Sequence, residues 1–513
     1  MTPTNPRART IRDPIHGDIL LGPMQAACVD TVIFQRLRYI RQNGLLHLVF
    51  PGAVHTRFAH SIGTLHLAGR SFQSLFPKYR PGEPGRISND DLRYVGQVFE
   101  TAALLHDVGH IAFSHSVENL ADPSIILRPL EEYVDEWDSP DGPHRAWFAQ
   151  NRTDLGGGGE ELPSHEELGL LLIGFLLCGS YSTVQDTCRE VIGVEPEVLC
   201  QDVRSLINPR LAISERFEEA LDALASDVLG IEKLDRDRWA PDLHDALSTL
   251  ISGTVDVDRM DYLVRDSHFT GTVYGNCAVP LICRALQLAV GPAPSEPEEE
   301  GWMLRIAVRD RARRAVDDLL WSRFQLYSQV LNHKTNVILN HQLGEALAEA
   351  QDTPGLDLAA PRTLNQLLSF TDDHVMSSIV TASLSDPERQ RRSYFRALLG
   401  RELPLYLGVI DVTGKTAEER EDVENEQRAA FAEKVEDHGF DADTLASWPT
   451  ATTLIKAGGL PFVLTKDKIV REPVVEEPLG SRGFDVPRWV ENHQLPHRVD
   501  HVHFFVDRRP PQA

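Results

Sequence analysis

The stretch TAALLHDVGHIAFSH, Thr101–His115, places His106, Asp107, His110 and His115 within ten residues, directly behind an apolar run. Val95, Val98, Phe99, Ala102 and Leu105 recur at three-and-four spacing, which predicts a helix with one buried face. Its last turn carries His106 and Asp107, and Gly109 is suited to end it. Adjacent side chains on a helix diverge by about 100°, so this pair can serve one ion only at the helix end. A lone His-Asp pair is more often a capping aspartate beside a packed histidine, so further ligands have to decide.

Working outward, the helical period dominates. FAHSIGTLHLAGRSFQSLF, DDLRYVGQVFETAALLHD, SHEELGLLLIGFLLCG and RRAVDDLLWSRFQLYSQVLNHKTNVILNHQLGEAL all carry it, so most of residues 13 to 345 are expected to be helical. DLGGGGEELP and VGPAPSEPEEEG read as surface loops that do not divide the domain. Beyond residue 345 the texture changes to an acidic helix, begun by a capping box at Thr416, and to strand-like pieces LPFVLTK and HVHFFVD. The expected fold is mainly α, with a core over residues 1–345 and a smaller α+β region over 346–513.

Composition limits the partners. A chain of 513 residues with net charge -25 does not offer duplex DNA a neutralising surface, although a local basic pocket for a small anion is compatible with it. Six scattered cysteines without CxxC spacing indicate neither a disulfide framework nor a zinc ribbon, and a reducing cytoplasm is the expected setting. The N-terminus has no apolar signal core, and the longest apolar run, near LGLLLIGFLLCGSY, is expected to be a buried helix and not a membrane span.

Two more ligand candidates join the pair: His60 in FPGAVHTRFAHSIG and Asp258 in TVDVDRMDYLVRD. Two imidazoles and two carboxylates form a mixed shell suited to iron, manganese or zinc, with room for water. The order His, His-Asp, Asp resembles the HD phosphohydrolase superfamily. The words IRDPIHGDILL, FQRLRYIRQNG, FPGAVHTRFAHSIG, LLHDVGHIAFSH, HEELG, VDVDRMDYLVRDSHFTGTVYG and NHKTN resemble its deoxynucleoside triphosphate triphosphohydrolases, in the family's order.

That resemblance implies a helical HD core that hydrolyses nucleoside triphosphates at the α-phosphorus, with Mg²⁺ accompanying the triphosphate. It gives Arg57, Arg259 and Arg323 to phosphate, Tyr262 and Asp266 to the sugar and Gln42 to its 3'-hydroxyl. His115 is the expected proton donor to the leaving 5'-oxygen, with Glu118 behind it and His110 and His165 lining the α-phosphate. The Asp261 and Arg265 pair reads as a structural ion pair. Asn43 and Leu331 replace the apolar pair that crowds the 2' position in the family, which puts deoxy-over-ribo selectivity in question. Asp30, Gln35 and Arg38 match a guanine-nucleotide activator site, and Arg309 and Arg311 match basic residues where nucleotide joins subunits, while Pro280 departs from a second activator site. The resemblance thus implies a guanine-nucleotide activator and a homo-oligomer, dimer or tetramer. Other readings are an HD phosphodiesterase or 5'-nucleotidase, and a noncatalytic nucleotide sensor.

Overall fold

The computed structural model describes residues 8–118, 120, 123–139, 141–155, 162–229, 239–292, 302–351, 358, 360–390, 393–437, 445–453, 462–464 and 498–506. The fold is mainly α, with three small sheets among the described residues. A hairpin of β1 (Arg9–Asp13) and β2 (Gly17–Leu21) opens it, where the sequence reading had no strand. Its turn is set by Asp13, whose carboxylate accepts the backbone N–H groups of Ile15 and His16.

Four helices carry the residues of interest: α1 (Arg57–Leu75), α2 (Asp90–Leu105), α3 (His165–Cys178) and α4 (Val257–Thr270). Asn89 caps α2, Asp256 caps α4, and Ser164 with Glu167 closes a reciprocal capping box on α3, so each start is fixed by its own sequence. Helix α1 packs against both α2 and α4. The approach to α4 requires glycine at position 63, since a Cβ there would lie 1.9 Å from an Asp261 carboxylate oxygen. The apolar run in α3 is buried as expected, and among the described residues no single helix is long and apolar enough to cross a membrane.

Strands β3 (Leu286–Pro292) and β4 (Trp302–Arg309) form an antiparallel pair flanking VGPAPSEPEEEG, most of which lies outside the described residues, as does most of DLGGGGEELP. Helices α5 (Arg313–Leu326), α6 (Lys334–Gln351) and α7 (Asp372–Ser385) follow. Buried apolar residues of one cluster continue through residues 346–398, ending at Leu398.

The end of the chain supplies β5 (Leu405–Asp411), α8 (Ala417–Asp437), β6 (Leu445–Thr453), β7 (Phe462–Leu464) and β8 (Arg498–Val506). Helix α8 starts with the expected capping box: the Thr416 N–H donates to Glu419 at 2.7 Å, and the Glu419 N–H to the Thr416 hydroxyl at 3.2 Å. Strand β8 lies between β5 and β6 over a small cluster of Val412, Phe431, Leu445, Val502 and Phe504. The LPFVLTK strand goes elsewhere: β7 pairs parallel with β4, Val463 opposite Val308.

Candidate active site

Helix α2 stops at Leu105 with His106 as its C-cap, so His106 and Asp107 do sit at a helix end. The His106 Nδ1 contacts the Ala103 carbonyl at 2.8 Å, which turns Nε2 toward the other ligand candidates. From α1, the fully buried His60 brings its Nε2 to 3.0 Å from Asp258 and 3.4 Å from Asp107. The His106 Nε2 lies 3.4 Å from Asp107 and 3.6 Å from Asp258, the first-turn residue of α4. One ligand atom each from His60, His106 and Asp258 falls within 4.8 Å of the others. Both Nε2 atoms are buried, and neither makes an aligned hydrogen bond to the carboxylates it faces. Orphaned imidazole nitrogens facing two carboxylates are the donor set of a divalent cation, so these residues fit a metal.

The electrostatics agree. Burial alone would lower the His60 imidazole, yet Asp258 and Asp261 overcome it and raise it to about 10. His106 is raised against burial by Asp107 and Asp258. Burial would raise the Asp107 carboxyl, but His106 and Arg57 hold it well below the usual carboxylate range.

Sequence reasoning gave Asp261 no role at this site. Its carboxylate accepts from Arg265 at 2.8 and 2.9 Å and contacts His16 at 2.7 Å, while its Oδ2 lies 2.8 Å from His60 Nδ1. The ion pair with Arg265 is present, but the same carboxylate fixes the His60 ring so that Nε2 faces the ligands. Arg36 and Asp372 were also missed. Arg36 donates to the carbonyls of His110, at 2.7 Å, and Val108, and Asp372 accepts the Phe113 N–H at 2.7 Å. Between them the loop runs through Phe113 and Ser114, both left-handed at φ 61° and 51°. His16, Arg36 and Asp261 lie in words already singled out, whereas Asp372 carried no such signal, being 259 residues from Phe113.

A second cluster adjoins the first. His110 stacks on His165 at 3.9 Å between ring centroids, and His115 meets both edge-on at 4.7 and 5.1 Å. Gly109 belongs to this contact: a Cβ there would lie 1.9 Å from the His165 carbonyl, so its need is close approach and not the helix stop read from the sequence. The buried His110 is held far below the usual imidazole range by burial, Arg57 and His165. The side chain of Glu118 lies outside the described residues.

His115 opens onto a cavity of about 720 Å³ that Gln42, Asn43, Arg259, Arg323 and Leu331 also line. Six of the expected residues are thus brought together. Arg57, Tyr262 and Asp266 are not on this wall. The Arg57 guanidinium is spread over Asp107 at 2.6 Å, the Ser114 hydroxyl at 3.0 Å and the Gln42 carbonyl at 3.2 Å. Tyr262 lies under the Arg323 guanidinium, and Asp266 contacts His55 at 2.7 Å. On another face, Asp30 accepts from Arg9 at 2.8 Å, and Arg38 donates to Gln35 and covers the Phe58 ring. Arg309 ends β4, Arg311 lies in the turn after it, and no hydrogen bond or ion pair among the described residues joins them to that group.

Against known proteins, no family model matches the chain. It is 27% identical over 427 residues to the deoxynucleoside triphosphate triphosphohydrolase SAMHD1 of Homo sapiens, covering 81% of this chain and 58% of that one. The chain resembles the deoxynucleoside triphosphate triphosphohydrolases. The Danio rerio triphosphohydrolase is 26% identical over 437 residues, covering 83% of this chain and 59% of its own. An uncharacterised protein of Methanocaldococcus jannaschii is 27% identical over 376 residues, or 72% and 57% of the two chains. The chain therefore spans under three fifths of these relatives' length. A hypothetical protein from Aquifex aeolicus, solved as a crystal structure, shares the fold at TM-score 0.54 and 19% identity over 98% of this chain and 96% of its own.

Proposed function

We propose that the chain is a metal-dependent triphosphohydrolase that splits deoxynucleoside or nucleoside triphosphates into nucleoside and inorganic triphosphate. The observation that carries this reading is the junction of two clusters: buried imidazoles and carboxylates fit for a cation adjoin three packed histidines, one of which opens onto a cavity lined by two arginines. His60, His106, Asp107 and Asp258 hold iron, manganese, zinc or a similar ion. A bound ion of this kind lowers the pKa of water toward about 7 and polarises phosphoryl oxygens.

Arg259 and Arg323 bind the triphosphate, which Mg²⁺ accompanies, while Gln42 and Asn43 receive the sugar beside Leu331. Tyr262 supports Arg323 on that wall, Asp266 holds His55, and Arg57 acts through Asp107. Water adds at the α-phosphorus, the bond to the 5'-oxygen breaks, and His115 donates the proton that oxygen needs. His110, held neutral, orients phosphate oxygens with His165. Incubating the protein with each nucleotide and Mn²⁺ or Mg²⁺ tests this, with anion-exchange separation of products. Nucleoside and triphosphate in equal amounts are expected; release of monophosphate or orthophosphate overturns the reading.

We also infer that the Asp30, Gln35 and Arg38 surface takes a guanine nucleotide that promotes self-association, with Arg309 and Arg311 contributing at a joint between copies. Asp30 can accept the ring N–H and amino group of guanine once Arg9 yields it. Light scattering should show a rise in mass with GTP or dGTP for the parent and none for Asp30→Ala; constant mass in both proteins removes this regulation.

A further inference from the structure

The cavity beside His115 has a wall that the catalytic reading leaves unused. Asn336 and Asn340 lie one turn apart on α6 and both line it. Asn336 is 6% exposed, and its amide nitrogen is committed to the Leu331 carbonyl at 2.8 Å, which fixes the amide so that its oxygen points away from that bond. The amide oxygens of both residues are buried and have no hydrogen-bond partner among the described residues. Two acceptors without donors among the described residues, on one helix face that lines a cavity, suit a ligand that brings N–H groups.

The facing wall comes from the end of the chain and is already paired. Arg420 of α8 donates to Asp500 of β8 at 2.8 Å, and Glu424 accepts from the Ser447 hydroxyl at 2.6 Å. Arg420, Asp500 and Glu424 are thus held within that wall, and the unpartnered amide oxygens belong to α6. Arg259 and Arg323 supply the cationic lining, so an anionic group and an N–H-bearing group can be held in one cavity.

We infer that Asn336 and Asn340 are specificity-determining residues that read the nucleobase, favouring bases with an exocyclic amino group. Such a group carries two N–H donors on one atom, which can serve both amide oxygens. Thymine and uracil present a single ring N–H flanked by carbonyl oxygens, which the amide oxygens repel. The α8 and β8 segment closes the pocket around the base. This inference rests on the reading of the cavity as a nucleotide site.

Hydrolysis and equilibrium binding of dATP, dCTP, dGTP and dTTP are measured for the parent, Asn336→Leu, Asn340→Leu and Asn340→Asp, with melting curves as the folding control. The parent should favour the three amino-bearing nucleotides over dTTP. Each leucine variant should lose roughly fivefold to tenfold in affinity for those three and much less for dTTP, in KM and not in kcat. Asn340→Asp keeps both the shape and an acceptor, and should keep the preference. Equal losses for all four nucleotides, or a parent indifferent to the base, overturn base reading. Selective binding without any turnover keeps base reading and overturns the triphosphohydrolase reading instead.

Discussion

Two clusters of three imidazole or carboxylate groups stand side by side in this molecule, each with ligand atoms within 4.8 Å of one another. By geometry alone either could hold a metal. Their surroundings differ: His60 and His106 face Asp107, Asp258 and Asp261, whereas His110 faces Arg57 and His165 as well as Asp107. The first field raises its imidazoles and the second lowers the buried one. Ligand geometry marks where a cation can sit, and the charge around it decides whether one is wanted.

The hardest test of that contrast is to remove a carboxylate from the first cluster. Asp107→Ala deletes a ligand candidate and also strands the buried Arg57, so metal content should vanish and turnover should fall by about 10⁴-fold or more. Metal analysis alongside activity checks it; full metal content with ordinary turnover would dissolve the distinction between the clusters. Removing a histidine from the second should act differently. His115→Ala should lose about 10²- to 10⁴-fold in turnover while the metal stays bound. Loss of metal on this change would make the two clusters one site.

The sequence discloses the first cluster better than the second. His60, His106, Asp107 and Asp258 were legible because each lies at or beside the end of a helix with a clear period, which limits where its side chain can go. The capping box at Thr416 was legible for the same reason: it is local. The hairpin at Arg9–Leu21 was not, because its strands are only five residues each, and the pairing of β7 with β4 was not, since ladder partners far apart in the chain leave no periodic trace. Arg57 shows a further limit, because residue type suggested phosphate while burial turned its guanidinium onto protein acceptors.

A milder perturbation separates holding a ligand from being one. Asp261 touches His60 only through Nδ1, so Asp261→Asn leaves the ligand set intact and weakens what orients it. Metal affinity should fall about 10- to 100-fold, with turnover recovering at high metal concentration. Titration of metal-free protein, read by activity and by direct metal binding, decides it; unchanged affinity would reduce Asp261 to the ion pair read from the sequence.

The smallest effect expected is one of pH on the metal-free protein. The His60 imidazole is raised from 6.5 to about 10 in the folded chain by Asp258 and Asp261, against the opposing effect of burial. A group whose folded value lies above its unfolded one stabilises fully below the unfolded value, so this contribution is complete below pH 6.5 and drains away as pH rises toward about 10. Chelated protein should therefore melt a few degrees lower at pH 9 than at pH 7. A metal displaces that same proton, so its affinity should rise over this range, by at most about tenfold per pH unit for each proton released. His110, kept neutral by burial and Arg57, contributes no such loss. Replacing His60 with Gln should flatten the chelated protein's pH dependence, whereas replacing His110 with Gln should leave it in place. If the two variants respond alike, the charge contrast between the clusters does not govern their protons.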